Sequence, residues 1–506
     1  MPPADPVWLP AVITTRQSMR HSGSPDVVLD RLRRGSPGAA NRILLRGAAV
    51  LTLDPRIGDL APGDILVEGS RIAAVAPDLG DAAADGQAVV VELDGSILIP
   101  GMQDTHRHCW ESQFRRLTPD IDNVEDYLEM AHGVLGPAYE PSDVYAGNLV
   151  TALGCIDAGI TCVLDFSHNS RTAEHSDAAV EAMLDAGIRC VHASCSPLAG
   201  TWDKHWPEDL GRLQERYFSS EDGLLTLRLG LLAARGRLAV SPRWLSFARE
   251  RGLAVSVDGA MGPAASANIE KLGGAGLLGP DVTLIHCNDL TDAAWGVIAG
   301  SETTVSISPT SDAQIGLAAA IPPIQPALDH GVRPSLSGDV EIALSSDLFT
   351  QMRVILATQR MHAFARRSRG EAPPPVIGVR DALEFATVEG ARANGLSAKT
   401  GTLTPGKQAD VVAISADDVN TMPLNHAAGT VVVGADARNV AMVMIDGEMR
   451  KWKGALPGHD LNQLRKMVTE SRDRVAERCG LELDLLSEPE ISRSDARRWS
   501  SPSSLS

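Results

Sequence analysis

Eight apolar, β-branched segments alternate with amphipathic segments through the middle of the chain. The apolar segments begin near residues 98, 160, 188, 224, 253, 282, 303 and 332. The amphipathic segments with helical spacing include residues 142–157, 174–186, 241–251, 291–299 and 347–362. Repeated β-α units require parallel strand pairing, and eight of them close naturally into a barrel. An open doubly wound α/β sheet is the alternative, which is disfavoured because no G-x-G-x-x-G turn follows the first strand.

Short β-like runs broken by Gly, Pro and Asp flank this alternating region on both sides. We expect a small antiparallel sheet, and we expect its two halves to pair into one small composite β-sandwich domain built from 41–98 plus 396–456. The (β/α)8 TIM-like barrel then spans 99–395. Residues 1–40 read as an irregular N-terminal arm, and 457–506 as a C-terminal helix and a disordered tail.

Charge and cysteine content exclude several classes of protein. The chain of 506 residues has 46 Lys and Arg against 64 Asp and Glu, a formal net charge of −18. Such a surface repels phosphate backbones and anionic lipid, so neither nucleic acid nor a membrane is expected as a partner. The start of the chain has no signal-peptide pattern. Seven cysteines without a C-x-x-C pair favour a reduced, cytoplasmic protein.

Histidines and a carboxylate follow three of the predicted barrel strands. The first strand ends in PGMQDTHRH, in which His106 and His108 point the same way because they are two residues apart. His286 ends the sixth strand and Asp339 the eighth. Strand ends converge on one mouth of a barrel, and such a set suits Zn²⁺, Fe²⁺ or Mn²⁺. The alternative is scattered histidines and an Asp that caps a helix.

These segments resemble the amidohydrolase superfamily over about residues 41–456. The resemblance rests on PGMQDTHRH, HCND, SGD and FATVEGARANGLSAKTGTLTPGKQADVVAIS. It is greatest for the branch of cytosine deaminases, adenosylhomocysteine-type deaminases and triazine hydrolases. This resemblance implies a (β/α)8 barrel, a composite β-sandwich and one metal ion per chain that helps to hydrolyse C–N or C–Cl bonds of ring compounds. It also implies that His286 orients the attacking water or the substrate carbonyl.

The end of the fifth strand departs from the pattern of that branch. The branch has H-x-x-E there, and this chain has Asp258 and Met261 at the two positions. Asp258 is either a substitute ligand, which would favour Fe²⁺ or Mn²⁺ over Zn²⁺, or an acid/base group in a site with little or no metal. Met261 cannot transfer protons, so deamination of an aminopurine or cytosine needs another group.

Five further residues are candidates for substrate contacts near the mouth. His168 closes the second strand, and its alternative role is a satisfied loop histidine. Aromatic residues that could stack on a planar substrate, or fasten a long loop, follow the first and third strands: Trp110, Trp202 and His205. Glu341 is a weaker candidate for proton transfer at the rim.

The sequence thus predicts a metal-dependent hydrolase acting on a C–N bond (amide, amidine or ring amine) of a small cyclic substrate. Metal ligands would be His106, His108, Asp258 and Asp339, with Asp339 as general base and His286 stabilising the oxyanion. The alternative is a repurposed barrel, a lyase, dehydratase or cyclase of specialised metabolism with altered or absent metal. A non-catalytic scaffold is a third reading. By analogy with the superfamily, we expect a homo-oligomer, a dimer.

Overall fold

The structure is a computed structural model that describes residues 42–83, 88–203, 206–233, 240–318, 321–345 and 347–487. Its strands form two sheets of eight strands each. The predicted arm at residues 1–40 and the end of the predicted tail, residues 488–506, lie outside the described residues. None of the helices in the described parts of the chain is both long and apolar enough to cross a membrane.

The first sheet combines strands from both ends of the chain. Five strands come from the N-terminal side: β1 (Arg42–Val50), β2 (Leu60–Glu68), β3 (Arg71–Ala76), β4 (Val89–Glu92) and β5 (Ser96–Pro100). Three come from the C-terminal side: β14 (Val411–Ser415), β15 (Val440–Ile445) and β16 (Glu448–Trp452). The order is β16-β15-β14-β5-β1-β2-β3, and β4 pairs with β1. This confirms the predicted composite β-domain, although the sheet is mixed, because β4 and β5 run parallel to β1.

The second sheet is the barrel. Its strands are β6 (Met102–Arg107), β7 (Ile160–Ser167), β8 (Arg189–Ser194), β9 (Leu225–Leu232), β10 (Ala254–Asp258), β11 (Val282–Ile285), β12 (Thr304–Ile307) and β13 (Ser335–Leu336). Each strand pairs in parallel with the next one along the chain. An isolated parallel bridge between Arg107 and Asp339 joins the end of β6 to the chain after β13. The predicted (β/α)8 barrel is thereby confirmed.

Helices connect the barrel strands and cover their outer faces. They are α1 (Val124–Leu128), α2 (Pro141–Asp157), α3 (Ala173–Ala186), α4 (Asp209–Tyr217), α5 (Pro242–Glu250), α6 (Gly262–Gly274), α7 (Asp292–Gly300), α8 (Pro309–Gln314), α9 (Ile324–Asp329), α10 (Leu348–Ser368), α11 (Val379–Ala386) and α12 (Val388–Ala393). A single turn α13 (Ala427–Gly429) and the C-terminal helix α14 (Leu461–Cys479) follow. Two shorter elements lie near the mouth, a 3-10 helix Cys109–Phe114 and a π-helix Glu129–Leu135.

Alternation along the strands separates two layers of the hydrophobic core. Leu164 and Phe166 of β7 belong to a small buried cluster with Ile285, whereas Val163 belongs to the large cluster that includes the surrounding helices. Every residue of β7 is buried, because its inner face lines the barrel and its outer face is covered by helices. The strand ends are therefore held rigidly at one mouth of the barrel.

Candidate metal centre and active site

Five of the predicted residues meet at the carboxyl ends of the barrel strands. His106 and His108 lie at the end of β6, Asp258 is the last residue of β10, and His286 follows β11. Asp339 is tied to β6 by two backbone hydrogen bonds, from His108 N–H to Asp339 C=O (3.1 Å) and from Asp339 N–H to His106 C=O (2.9 Å). The closure of the barrel thus brings this carboxylate to the two histidines.

Imidazole nitrogens and carboxylate oxygens of this group lie within a few ångströms of one another. Asp339 Oδ1 is 3.1 Å from His106 Nε2 and 3.2 Å from His108 Nε2. Asp258 Oδ1 is 3.2 Å from His286 Nε2 and 3.7 Å from His106 Nε2. Two sets of three ligand atoms, each within 4.8 Å of one another, could hold a metal ion: His106, His108 and Asp258, and His106, His286 and Asp339.

Several polar atoms of this cluster are buried and, although close to groups of opposite charge, form no aligned hydrogen bond with a described residue. Within the described residues, both nitrogens of His106, Nδ1 of His108 and Oδ1 of Asp339 have no aligned hydrogen-bond partner. Proteins rarely leave such atoms unsatisfied, because a buried unpaired polar group destabilises the fold. A divalent cation accepts electron pairs from imidazole and carboxylate together, so the donor set fits one.

The charges of the cluster are strongly coupled. Burial raises the pKa of Asp258, but attraction to His106 and the hydrogen bond from His286 outweigh it and lower this pKa to about 2. Burial lowers the pKa of His108, but its contact with Asp339 outweighs that and raises the pKa to about 9. His108 therefore holds a proton in the absence of a cation. A metal ion must displace this proton, so metal binding strengthens as the pH rises.

Backbone conformation at two of these strand ends is unusual. His286 has a φ of 75° and Asp339 a φ of 58°, both in the left-handed region that side-chain-bearing residues seldom adopt. Such conformations cost free energy and concentrate at functional sites. Both residues leave the regular alternation of their strands at this point, which turns their side chains toward the shared centre.

Asp312 is a member of the site that sequence reasoning missed. This fully buried residue of α8 has its Oδ1 2.9 Å from Nδ1 of His286. Burial raises the pKa of Asp312 to about 6, even though its contact with His286 lowers it. The carboxylate accepts the Nδ1 hydrogen, so Nε2 of His286 is the nitrogen that faces the centre. Asp312 lies in the first turn of the helix after β12, but no motif or spacing in the sequence connects this position to His286.

A cavity of about 270 Å³ opens onto the centre. Polar residues of its lining include His108, Asp258, His286 and Asp339, whereas His106 lies behind them. Apolar residues from several loops form much of the remaining wall: Leu128, Leu198, Leu232, Ile315 and Leu317. Met261 also lines the cavity, so the position where the superfamily branch has a proton-transferring Glu carries a thioether.

Of the five candidates for substrate contacts, one lines this cavity. His168 does so, and its ring stacks on His108 with centroids 4.2 Å apart. Trp110 does not: it is buried behind His168, to which its indole N–H donates a hydrogen bond of 3.3 Å. Trp202 is 36% exposed and outside the cavity lining. His205 lies outside the described residues.

Glu341 is also absent from the cavity lining, contrary to the expectation that it sits at the rim. Its carboxylate is buried between two arginines, with Oε1 3.3 Å from Arg107 and Oε2 2.6 Å from Arg115. Burial raises the pKa of Glu341, but attraction to these arginines outweighs it and lowers the pKa to about 2. Glu341 is held by these arginines outside the cavity lining, so it does not reach a substrate bound in the cavity.

His132 is a second residue that sequence reasoning missed. It lies in the π-helix Glu129–Leu135 and lines the cavity beside His168. Burial lowers its pKa to about 3, so the ring is neutral near pH 7. His132 does not stand at the end of a strand, and a π-helix has no dependable sequence signature, although such elements are frequent at functional sites.

Curated relatives of similar length have deaminase names. A 5'-deoxyadenosine deaminase of Methanosarcina acetivorans is 27% identical over 80% of this chain and 92% of its own. A 5-methylthioadenosine/S-adenosylhomocysteine deaminase of Moorella thermoacetica is 25% identical over 85% of this chain and 98% of its own. These relatives match almost end to end.

Solved structures share the fold. Atrazine chlorohydrolase TrzN from Arthrobacter aurescens TC1, complexed with zinc, has a TM-score of 0.72 and 21% identity, and the match covers 85% of this chain and all of that one. An adenosine deaminase from Xanthomonas campestris with bound zinc has a TM-score of 0.73 and 19% identity over 86% and 98% of the two chains. Both neighbours contain zinc in those structures.

The family comparison covers the barrel and part of the β-domain. The model of the amidohydrolase family matches residues 97–450. Together with the deaminase-named relatives, this match confirms the predicted class of enzyme, a hydrolase that acts on a C–N bond of a small cyclic substrate. The matched range includes every residue of the centre at the barrel mouth. This chain therefore belongs to the amidohydrolase family.

Proposed function

We propose that this enzyme uses one divalent cation, Zn²⁺, Fe²⁺ or Mn²⁺, held by His106, His108, Asp258 and Asp339. The proposal is carried by buried donor atoms of His106, His108 and Asp339 that converge at the strand ends and lack an aligned hydrogen bond to any described residue. A bound cation supplies Lewis-acid activation of water and of the substrate. Asp258 replaces the usual histidine, and its carboxylate within reach of three imidazoles supports the role of a ligand.

Protons are moved in this proposal by the chain's own carboxylate and imidazole. Asp339, which lines the cavity, accepts a proton from the attacking water and delivers it to the departing nitrogen. His286 donates a hydrogen bond from Nε2 to the oxygen that gains negative charge. Burial opposes the charged form of His286, but its contacts with Asp258 and Asp312 raise its pKa well above the usual value, which keeps this donor protonated.

We take an aminopurine nucleoside as the first substrate class to test, with 5'-deoxyadenosine as its representative. Relatives with that name cover most of this chain. The cavity of about 270 Å³ with an apolar wall suits a flat ring that bears a weakly polar substituent. Hydrolysis consumes one water, breaks the exocyclic C–N bond and releases ammonia and 5'-deoxyinosine.

The test measures metal content by elemental spectrometry and ammonia release from 5'-deoxyadenosine. We expect about one ion per chain and activity that a chelator abolishes and added metal restores. The double change His106→Ala with His108→Ala should lose both the ion and the activity. The matched control is His362→Ala, an exposed histidine of α10, which should retain both. Unchanged metal and activity in the double variant would reject the site.

Met261 favours a second candidate function. A thioether in the cavity wall cannot protonate a ring nitrogen, which deamination of a purine requires. The candidate is a lyase, dehydratase or cyclase that uses Asp258 as a proton carrier and needs no metal. Metal-free protein with chelator-resistant turnover would support it. Conversely, a gain of deaminase activity in the variant Asp258→His with Met261→Glu would show that those two side chains alone separate this enzyme from its relatives.

The proposal also includes a cytoplasmic location and a homodimer. The location is supported by the thiols, since all seven cysteines are free and six of them are buried. The dimer rests on analogy with the superfamily. Light scattering of the purified protein measures the assembly, and a monomeric mass would contradict it.

A further inference from the structure

The cavity has a polar wall that the proposed mechanism does not use. His168 and His132 line it side by side, with ring centroids 4.4 Å apart and an angle of 72° between the rings. Because His168 also stacks on His108, this wall lies directly beside the candidate metal centre. A substrate held at the centre therefore has part of its ring against these two imidazoles.

The hydrogen bond from Trp110 determines where His168 carries its proton. An indole N–H can only donate, so Nδ1 of His168 must accept and must itself be unprotonated. The single proton of the neutral ring then lies on Nε2, which makes His168 a hydrogen-bond donor. Trp110 is 2% exposed and packs edge-on against Tyr139, with centroids 5.0 Å apart, so it is held firmly in place.

His132 has a buried nitrogen without a partner. Its Nε2 forms no hydrogen bond to any of the described residues, although the side chain is only 2% exposed. Its ring is held between Trp110 and Tyr127, at centroid distances of 5.6 and 5.8 Å. An unpaired buried nitrogen in a cavity wall is a site that a polar atom of a ligand would satisfy.

We propose that His168 and His132 form a recognition subsite for a hydrogen-bond acceptor of the substrate, with Trp110 as the positioning residue that fixes His168 as the donor. The ligand class is a planar heterocycle that turns a carbonyl oxygen or an unprotonated ring nitrogen toward this wall. The inference rests on the proposed function, because the substrate must sit at the adjacent centre. It assigns Trp110 a role other than stacking on the substrate.

Binding of 5'-deoxyinosine, which carries the unprotonated ring nitrogens N3 and N7 as acceptors and needs no turnover, tests the subsite by calorimetry on the metal-loaded enzyme. His168→Phe should weaken binding about tenfold, because it removes the donor. His168→Gln, whose amide NH₂ reaches about as far as Nε2, should stay within about threefold of the unmodified chain. Trp110→Phe keeps an aromatic ring but removes the N–H, and should weaken binding about threefold. If all three variants bound 5'-deoxyinosine as tightly as the unmodified chain does, the proposal would be overturned.

The protonation of His168 gives a readout that a purely structural role of Trp110 would not move. In protein labelled with ¹⁵N-histidine, the signals of His168 are assigned by their loss in His168→Gln. We expect an unprotonated Nδ1 and a protonated Nε2, and a mixture of the two tautomers in Trp110→Phe. A protonated Nδ1 in the unmodified chain would overturn the proposal.

These two measurements separate failure of the subsite from failure of the proposed function. If the unmodified enzyme neither releases ammonia from 5'-deoxyadenosine nor binds 5'-deoxyinosine, the nucleoside substrate is wrong, and the tautomer measurement alone still decides whether Trp110 fixes His168. If the enzyme does bind 5'-deoxyinosine and the His168 variants bind it equally well, the subsite is wrong while the proposed function stands.

Discussion

Adjacent residues at the end of β6 belong to two different clusters of charged side chains. His106 and His108 join the cluster at the barrel mouth, whereas Arg107 between them joins Asp104 and Glu341. In the second cluster, Arg107 Nε is 2.7 Å from Asp104, and Arg115 Nε is 2.6 Å from Glu341. Asp104, Arg107 and Glu341 are almost fully buried, as is the mouth cluster, whereas Arg115 is partly exposed.

The two clusters differ in whether their buried polar atoms have hydrogen-bond partners. No buried side-chain nitrogen or oxygen of Asp104, Arg107 or Glu341 is without a partner. In the mouth cluster, by contrast, buried atoms of His106, His108 and Asp339 lack an aligned hydrogen bond to any residue that the structure describes. Burial of charge alone therefore does not identify a functional site, because a complete ion-pair network is explained by the fold. Imidazole and carboxylate atoms that lack aligned hydrogen bonds and converge on one cavity, as at the mouth, fit a ligand or ion that would complete the arrangement.

Loss of the Asp339 carboxylate should have the largest effect on activity. Asp339→Asn removes a ligand and the proposed base in one change, so we expect turnover to fall at least about a thousandfold. The thermal midpoint of the metal-free protein should change less than that of the Arg107 variant described next. Ammonia release and differential scanning calorimetry measure the two effects. Activity within about tenfold of the unmodified chain would contradict the role of Asp339.

The opposite pattern is expected for Arg107→Ala. Burial raises the pKa of Asp104 even beside Arg107, so removing the arginine takes the cationic partner from a buried carboxyl that keeps the backbone N–H donors of His106 and Gly338. The free energy of unfolding should fall by about 3–5 kcal/mol, measured by urea denaturation. The folded fraction should keep its metal. The control Arg369→Ala breaks an exposed pair with Glu371 and should leave the free energy of unfolding nearly unchanged. Equal losses in the free energy of unfolding of the two variants would contradict the structural role of the Arg107 cluster.

Residues at strand ends were predictable from the sequence because barrel topology alone determines where they lie. A β-α repeat brings every strand end to one mouth, whatever the packing of the helices. His106, His108, Asp258 and His286 needed no further information. Asp339 also follows a strand, although β13 has only two residues and the position depends on the backbone bonds to β6.

Other residues could not be placed, because their direction depends on how the chain leaves a strand. Trp110 follows β6 by three residues, where the chain has already turned into a 3-10 helix and strand alternation no longer applies. Glu341 follows the left-handed backbone of Asp339, which turns it away from the cavity. Asp312 and His132 lie on helices whose approach to the centre is determined by tertiary packing. Local pattern carries no information about such contacts.

The contact between Asp312 and His286 predicts an intermediate effect on activity. Asp312→Asn keeps an oxygen that accepts the Nδ1 hydrogen but removes the negative charge, so we expect activity to fall about 10–100-fold with little change in stability. Loss of an anionic partner lowers the pKa of His286. Since the mechanism needs the protonated ring, activity should disappear at lower pH than in the unmodified chain. The control Asp292→Asn changes an exposed carboxylate and should leave the pH profile in place.

The smallest effect concerns Glu111, a buried carboxyl near the mouth whose Oε2 has no partner among the described residues and whose Oε1 accepts a hydrogen bond from Tyr127. Burial raises its pKa from 4.5 to about 8. A raised pKa in the folded state stabilises the protein fully below pH 4.5, and this contribution disappears as the pH rises through 8. Glu111→Gln keeps the acceptor for Tyr127 but cannot ionise. The difference in thermal midpoint, Glu111→Gln minus the unmodified chain, should therefore increase by about 2 °C or more between pH 5 and pH 9, with chelator present. A difference that stays constant over this range would mean that Glu111 is ionised in the folded protein. The polar groups near the mouth would then compensate a buried charge, as those of the arginine cluster do.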